Sequence, residues 1–135
     1  MSFRRTAAIV ALTLGSIVPA TAMAQPQNHC ILSSHHITSV TPYKSEFRSG
    51  HFTQTQLRGA IVHVEAEPGL TAEWLRLEIG RHLAAMQKSS MADCAFDMSG
   101  VTVGVGSNGA GFDVTVVAKD AKQAEEVLRR ARLLT

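Results

Sequence analysis

The first 24 residues of the chain have the organisation of a secretory signal peptide. Arg4 and Arg5 give a basic start, an apolar run follows from Ala7 to Val18, and Ala22-Met23-Ala24 is the small-x-small pattern that signal peptidases cleave. The apolar run is shorter than the stretch of about 20 residues that spans a bilayer. We therefore expect residues 1–24 to be removed before folding. The mature protein is then expected to be periplasmic or secreted, with no stable membrane insertion.

Cleavage after Ala24 leaves a chain long enough for one domain with one hydrophobic core. The formal net charge of +2 comes from Arg4 and Arg5, because the remaining 11 Lys and Arg equal the 11 Asp and Glu. A neutral balance gives no charge footprint for nucleic acid or for an anionic membrane surface. We therefore predict no nucleic-acid partner.

Cys30 and Cys94 are the two cysteines of the chain. In an oxidising compartment an even pair predicts one disulfide. Closing so long a loop stabilises a fold by about 4 kcal/mol on the chain-entropy model. The alternative is two free thiols, one of them a metal ligand. Because Cys-x-x-Cys is absent, a thioredoxin-like redox role has little support.

Residues 25–59 are expected to form a polar arm, since they are rich in Ser, Thr, Gln and His with scattered apolar positions. One or two edge strands are compatible with this segment, and so is a partly ordered arm. Thr41-Pro42 argues against a central strand because proline has no N–H for the ladder. The structured domain is predicted to cover residues 60–135.

Sharper patterns follow from Ala60. Alternating apolar residues predict three strands, and Asn108-Gly109 between the last two predicts a hairpin. Thr71 can cap a first helix, and Asp120 with Gln123 can form a capping box for a second. The predicted elements are a strand over 60–66, a helix over 72–87, strands around 101–106 and 112–117, and a helix after 120.

This β-α-β-β-α order predicts an α+β two-layer sandwich with a mostly antiparallel sheet and both helices on one face. The arrangement resembles a ferredoxin-like plait that lacks its last strand, with the arm able to supply a further strand. The literal G-x-G-x-x-G at residues 104–109 does not indicate a dinucleotide site, because such a loop must open a helix and this one leads into a strand.

Two groups of side chains could ligate a metal ion. His29, His35 and His36 surround Cys30 in the arm and predict a copper or zinc site, with ordinary polar arm residues as the alternative. A softer set could hold Cu(I), although the same residues are also typical of core packing. Its members are His82, Met86, Met91, Cys94 and Met98.

Trp74 and Leu77 fall on the side of the first helix away from its apolar stripe. They predict either a partner surface or a place where the arm folds over the helix. No catalytic motif with a recognisable spacing occurs in the sequence. The chain is therefore expected to be a small exported non-enzymatic binding or accessory protein with a protein partner in the cell envelope and no cofactor. The alternative is a periplasmic copper- or zinc-binding protein that uses the histidine-rich arm.

Overall fold

The computed structural model describes residues 29–135, and the predicted signal peptide lies outside the described residues. Within 29–135, no helix has the length and apolar character that a bilayer crossing requires. Residues 29–135 form two short 3₁₀ helices, four strands and two α-helices. They are a 3₁₀ helix Ile31–Ser34, β1 Ile37–Ser49, β2 Phe52–Glu65, α1 Ala72–Met86, β3 Thr102–Ser107, β4 Gly111–Val117, α2 Ala121–Ala131 and a 3₁₀ helix Arg132–Leu134.

The four strands form one antiparallel sheet in the order β1-β2-β4-β3. Helix α2 packs mainly on β2, and α1 packs against β3. The apolar stripes of both helices and one face of the sheet share a single core. The predicted α+β class and antiparallel sheet are confirmed, and the arrangement is that of a two-layer sandwich.

Alternation of side chains along each strand sends every second residue toward the helices. Val40, Val62, Val114 and Val105 stand opposite one another across the four strands. The last three of these are buried, and they meet buried residues of both helices in the core. The helix residues that complete this core include Leu75, Ile79, Ala124 and Val127.

Side-chain caps fix where each helix begins. The Thr71 hydroxyl accepts a hydrogen bond from the Trp74 N–H at 3.1 Å, and the Asp120 carboxylate accepts one from the Gln123 N–H at 2.8 Å. The Gln123 side chain reaches back to the N–H of Lys119, one residue before the cap. Both predicted caps are confirmed, since they satisfy N–H groups that have no partner inside the helix.

The arm contributes more regular structure than the sequence indicates. β1 and the first half of β2 both lie before Ala60, so the element order is β-β-α-β-β-α. β2 pairs with β4 only from Gly59 onward, while its pairing with β1 continues to the turn at Gly50. Residues 44–57 therefore extend past the four-stranded sheet as a two-stranded segment, which we call the ribbon. Pro42 fits because β1 is an edge strand.

The glycine-rich segment at residues 104–109 lies on β3 and in the turn to β4. The Asn108 N–H donates to the Gly111 carbonyl at 3.1 Å, and Gly109 has φ 83°. A positive φ is readily adopted by glycine because it has no Cβ. The predicted hairpin is confirmed, and the glycines do not open a helix.

An ion-pair cluster near the end of α2 gives a testable pH dependence. The guanidinium groups of Arg129 and Arg130 donate to Glu126 and hold the pKa of that carboxyl at about 2, below its ordinary value of 4.5. A lowered folded pKa stabilises the protein above the unfolded value, and the effect is lost as the pH falls through about 2. We expect a carboxyl titration followed by NMR to place the Glu126 midpoint near 2.

The matched variant for this measurement carries Arg129→Gln and Arg130→Gln together. Removing both guanidinium groups should return the Glu126 midpoint toward 4.5. A wild-type midpoint already close to that ordinary value would contradict the ion-pair geometry.

Candidate functional site

The sheet face opposite the helices is uncovered by any other part of residues 29–135, and we call it the open face. Strand alternation assigns its residues, because they stand one position away from the buried rows. Its side chains are mostly half-buried against their neighbours. The residues of the open face in the four-stranded sheet are Ser39, Thr41, Tyr43, Gly59, Ile61, His63, Asp113, Thr115, Val117, Thr102, Gly104 and Gly106.

Two aromatic side chains extend this face along the ribbon. Phe47 is 45% exposed and Phe52 is 75% exposed, although both are large apolar residues. Phe47 pairs with Gln54 and Phe52 pairs with Ser49, so the register places both rings on one face of the ribbon. The charged residues Lys44, Glu46 and Arg48 alternate onto the opposite face. The other members of the face with Phe47 and Phe52 are uncharged, namely Ser45, Ser49, Gln54 and Gln56.

A chain of polar side chains crosses the middle of the open face. The Thr41 hydroxyl lies 3.0 Å from His63 Nε2, and His63 Nδ1 lies 2.7 Å from the Asp113 carboxylate. The Asn108 amide donates to the same carboxylate oxygen. This order of hydroxyl, imidazole and carboxylate is the one that activates nucleophiles in hydrolases. Here the three groups lie on the adjacent strands β1, β2 and β4 of the open face.

Cys30 and Cys94 meet at one end of the helical layer. Cys30 precedes the first 3₁₀ helix and Cys94 lies in the loop between α1 and β3. Their Cα atoms are 5.1 Å apart and their sulfurs lie at disulfide distance, as the pairing predicted from the sequence requires. Cys94 is buried, while Cys30 is only half-buried. The contact ties the start of the arm to the loop that follows α1.

His82 is the third potential ligand at this place. Its Nε2 lies 3.5 Å from the Cys94 sulfur, and the ligand atoms of Cys30, His82 and Cys94 all lie within 4.8 Å of one another. Burial lowers the pKa of the His82 imidazole, and the negative charge of Asp97 opposes part of this effect. The sequence groups His82 with Cys94 among the soft ligands, but it does not predict that His82 lies near Cys30. The one available indication was a histidine on the apolar stripe of α1.

The loop that carries Cys94 is fixed to the second helix. Arg130 donates to the carbonyls of Cys94 and Asp97, each at 3.3 Å, and Glu126 accepts from the other side of the same guanidinium. The Asp97 carboxylate also accepts from the Met91 N–H within the loop. These contacts hold the Cys94 segment in place from two directions.

Two clefts flank this loop and divide the soft-ligand set. The residues that line a cleft of about 280 Å³ include His29, Cys30, Met91 and Cys94. Another, of about 340 Å³, is lined by Met86 and Met98. The structure therefore brings Met91 and His82 toward the sulfurs from different sides. It places the remaining two methionines around a separate space.

The histidines of the arm are held mainly by carboxylates. His35 Nδ1 lies 3.4 Å from Glu67, and His36 Nδ1 is hydrogen-bonded to Glu65. The Nε2 of His35 is buried without a hydrogen-bond partner among the described residues. Among residues 29–135, ligand atoms gather into a group of three at Cys30, His82 and Cys94, and not at His29, His35 and His36.

Trp74 and Leu77 both lie on the exposed side of α1. The His35 ring meets Trp74 edge-on, with centroids 6.1 Å apart, so the arm covers part of the indole. Leu77 remains 62% exposed. The arm thus folds over the helix at Trp74, and the partner surface stays a prediction.

Comparison with known proteins gives no further constraint. The chain matches no protein-family model, and no curated protein or solved structure is significantly similar to it.

Proposed function

We propose that this protein is a small exported, non-enzymatic binding or accessory protein that contacts a protein partner in the cell envelope through the ribbon. The observation that carries the proposal is the exposed pair of Phe47 and Phe52 on one uncharged face of the ribbon. Predicted removal of residues 1–24 would place this surface in the periplasm or outside the cell.

The exposed aromatic rings of the ribbon add little hydrophobic stabilisation to the fold. Burying a phenylalanine side chain is worth about 2 kcal/mol, yet both rings of this face remain in contact with solvent. The fully buried side chains lie outside the ribbon, on β2, β4, the helices and the loop that carries Cys94. Exposed aromatic side chains on a paired backbone lose little conformational entropy on contact, which makes them effective anchors in protein interfaces.

The composition of the ribbon face favours a protein over other partners. Its polar residues are Ser and Gln, and its charged neighbours Lys44, Glu46 and Arg48 alternate onto the opposite side. Anionic lipids and nucleic acids are bound through clustered cations. Aromatic residues among small uncharged polar ones are typical of surfaces that bind proteins. The expected partner therefore offers an apolar, uncharged patch.

The open face also supports a role without catalysis. Thr41, His63 and Asp113 are linked by hydrogen bonds, but the chain they form lies on a flat sheet and joins three adjacent strands. We assign these hydrogen bonds a structural role, in which they hold the side chains of the open face in place. Turnover of ester or peptide substrates that disappears in His63→Ala would overturn the non-enzymatic assignment.

The topology supports the resemblance to a ferredoxin-like plait. β2, β4 and β3 are adjacent and antiparallel, with α1 between β2 and β3 along the chain. β1 from the arm occupies the edge beside β2, where the plait would have its last strand.

Metal binding is the second candidate function. The arm histidines His29, His35 and His36 remain candidate ligands for copper or zinc, but two of them already pair with carboxylates. The group of Cys30, His82 and Cys94 gives metal binding a more specific basis.

Site-specific photo-crosslinking in the exporting cell tests the ribbon. A photoreactive phenylalanine analogue at position 52 should give a discrete protein adduct of the exported chain. The matched control carries the analogue at Leu133, which is 60% exposed and lies in the C-terminal 3₁₀ helix. Binding of the purified partner identified in that adduct should weaken at least about tenfold in Phe47→Ser, equivalent to about 1.4 kcal/mol.

Other results would each overturn part of the proposal. No adduct at position 52 above the Leu133 control removes the ribbon as the contact surface. If the analogue gives an adduct when it is placed at position 77 and gives none at position 52, the contact surface is α1. An adduct with the mass of a second copy replaces the envelope partner with self-association.

A further inference from the structure

We propose that reduction of the cysteine pair converts Cys30, Cys94 and His82 into a binding site for one thiophilic d¹⁰ metal ion, Zn²⁺ or Cu⁺. In the oxidised chain the two sulfurs are joined to each other and the site is closed. The proposal goes beyond the binding role of the ribbon and does not depend on it.

The geometry already supplies three ligands from three separate segments. Cys30 comes from the arm, His82 from α1 and Cys94 from the loop after α1, and their ligand atoms lie within 4.8 Å of one another. Two thiolates and one imidazole form a soft donor set that suits Zn²⁺ and Cu⁺. Three protein ligands complete a trigonal Cu⁺ site, or leave one tetrahedral position of Zn²⁺ for water.

His82 is prepared for ligation by its surroundings. The imidazole must be neutral to offer a lone pair to a metal. Burial favours the neutral ring and lowers the pKa of His82, while Asp97 is the carboxylate whose charge acts on it. Phe96 contacts the ring edge-on with centroids 6.3 Å apart, so packing also limits its orientation. The His82 Nε2 lies 3.5 Å from the Cys94 sulfur.

The sulfur pair can be approached from solvent on the Cys30 side, because Cys94 itself is buried. The cleft of about 280 Å³ is lined by Cys30, Cys94 and the thioether-bearing Met91. A reductant and an ion can therefore approach through Cys30, which is half-buried. Arg130 holds the backbone on both sides of the Cys94 turn, so the ligand loop keeps its position when the sulfur bond is cleaved.

The chemistry balances with a dithiol as reductant. Its thiolate attacks one sulfur of the protein disulfide, and its second thiol then displaces the protein sulfur, so two electrons and two protons pass to Cys30 and Cys94. The dithiol leaves as its own disulfide. When the metal binds, both protein thiols release their protons to solvent and His82 donates the lone pair of Nε2.

Metal would then restore the link that reduction removes. In both states the arm is joined to the loop after α1, first through a sulfur–sulfur bond and then through a shared ion. Because the ion binds the folded chain, it raises the free energy of unfolding by RT ln(1 + [L]/Kd). Reduced protein with metal should therefore unfold at a higher temperature than reduced protein without it.

The experiment uses the mature chain without a purification tag. It is reduced with a water-soluble phosphine, which takes up the oxygen of water as the disulfide becomes two thiols, and is then desalted without oxygen. Competition titrations with a chromophoric chelator, one for Zn²⁺ and one for Cu⁺, should give a 1:1 complex with Kd below about 1 μM for at least one ion. Cobalt substitution should show thiolate-to-metal charge-transfer absorption. The oxidised chain should show neither property.

Variants identify the ligands. His82→Gln should weaken binding at least about tenfold, a loss of one ligand, whereas His63→Gln, a half-buried imidazole on the open face, should leave it unchanged. Cys30→Ser should weaken the charge-transfer band, because the Cys94 thiolate is then the one sulfur ligand left in the group. Equal binding by oxidised and reduced protein would overturn the proposal. Binding by the reduced chain weaker than about 10 μM, or affinity unaffected by His82→Gln, would overturn it as well.

Discussion

Replacing Cys30 with serine should lower the free energy of unfolding of the oxidised protein by about 4 kcal/mol, on the chain-entropy estimate for a bond closing a loop with a sequence separation of 64. The cross-link limits the conformations of the unfolded chain, so its loss favours the unfolded state. Besides this bond, burial of Leu32 and contact with α1 hold the short 3₁₀ helix after Cys30. We expect loss of the bond to free the start of the arm first.

Urea unfolding of the oxidised wild type and of Cys30→Ser measures this difference directly. Cys30 is the better position to change because it is half-buried, whereas Cys94→Ala would also remove packing from the core. The wild type under reducing conditions is the matched control. Its urea midpoint should equal that of Cys30→Ser. Midpoints that agree between oxidised wild type and Cys30→Ser would show that the pair does not cross-link the folded protein.

The elements that bury apolar residues could be predicted from the sequence. Val62 and Val64 alternate with His63 and Glu65 because one face of β2 meets the helices. Thr71 and Asp120 identify the helix starts, since a side-chain oxygen there must satisfy a free N–H. These are local effects of burial and capping, so a single segment contains the information that specifies them.

The ribbon could not be predicted in the same way. Both of its faces are exposed, so its residues have no need to alternate between apolar and polar, and its order comes from pairing between β1 and β2. Pro42 even weakens the strand pattern, although an edge strand tolerates it. The open face depends on the same register, because Thr41 and His63 come together only after β1 and β2 have paired.

The group of Cys30, His82 and Cys94 required tertiary structure for a different reason. The predicted pairing of the cysteines needed only an even count and an oxidising compartment. The position of His82 near both sulfurs needed the packing of α1 against the first 3₁₀ helix, which no spacing in the sequence expresses. The arm histidines are adjacent in sequence, yet they turn to separate carboxylates, Glu65 and Glu67.

Gly59→Ala should be among the most damaging single substitutions, with a loss of about 3 kcal/mol or more from backbone strain and overpacking. Gly59 has φ 151°, and a Cβ at this position would stand 1.8 Å from the Val116 carbonyl oxygen of β4. Neither strand can move away without breaking the pairing that forms the core. Gly59 is also the residue at which the pairing of β2 with β4 ends, next to the ribbon.

Gly104→Ala provides the matched control on β3. A Cβ there meets nothing within 4 Å, so urea unfolding should show a change within about 1 kcal/mol of wild type, in either direction. Gly111→Ala should behave like Gly59→Ala, because its Cβ would meet the Val64 carbonyl oxygen. If Gly59→Ala were as stable as Gly104→Ala, the close approach of β2 to β4 would be wrong. The exit of the ribbon from the sheet, which presents Phe47 and Phe52, depends on that same approach.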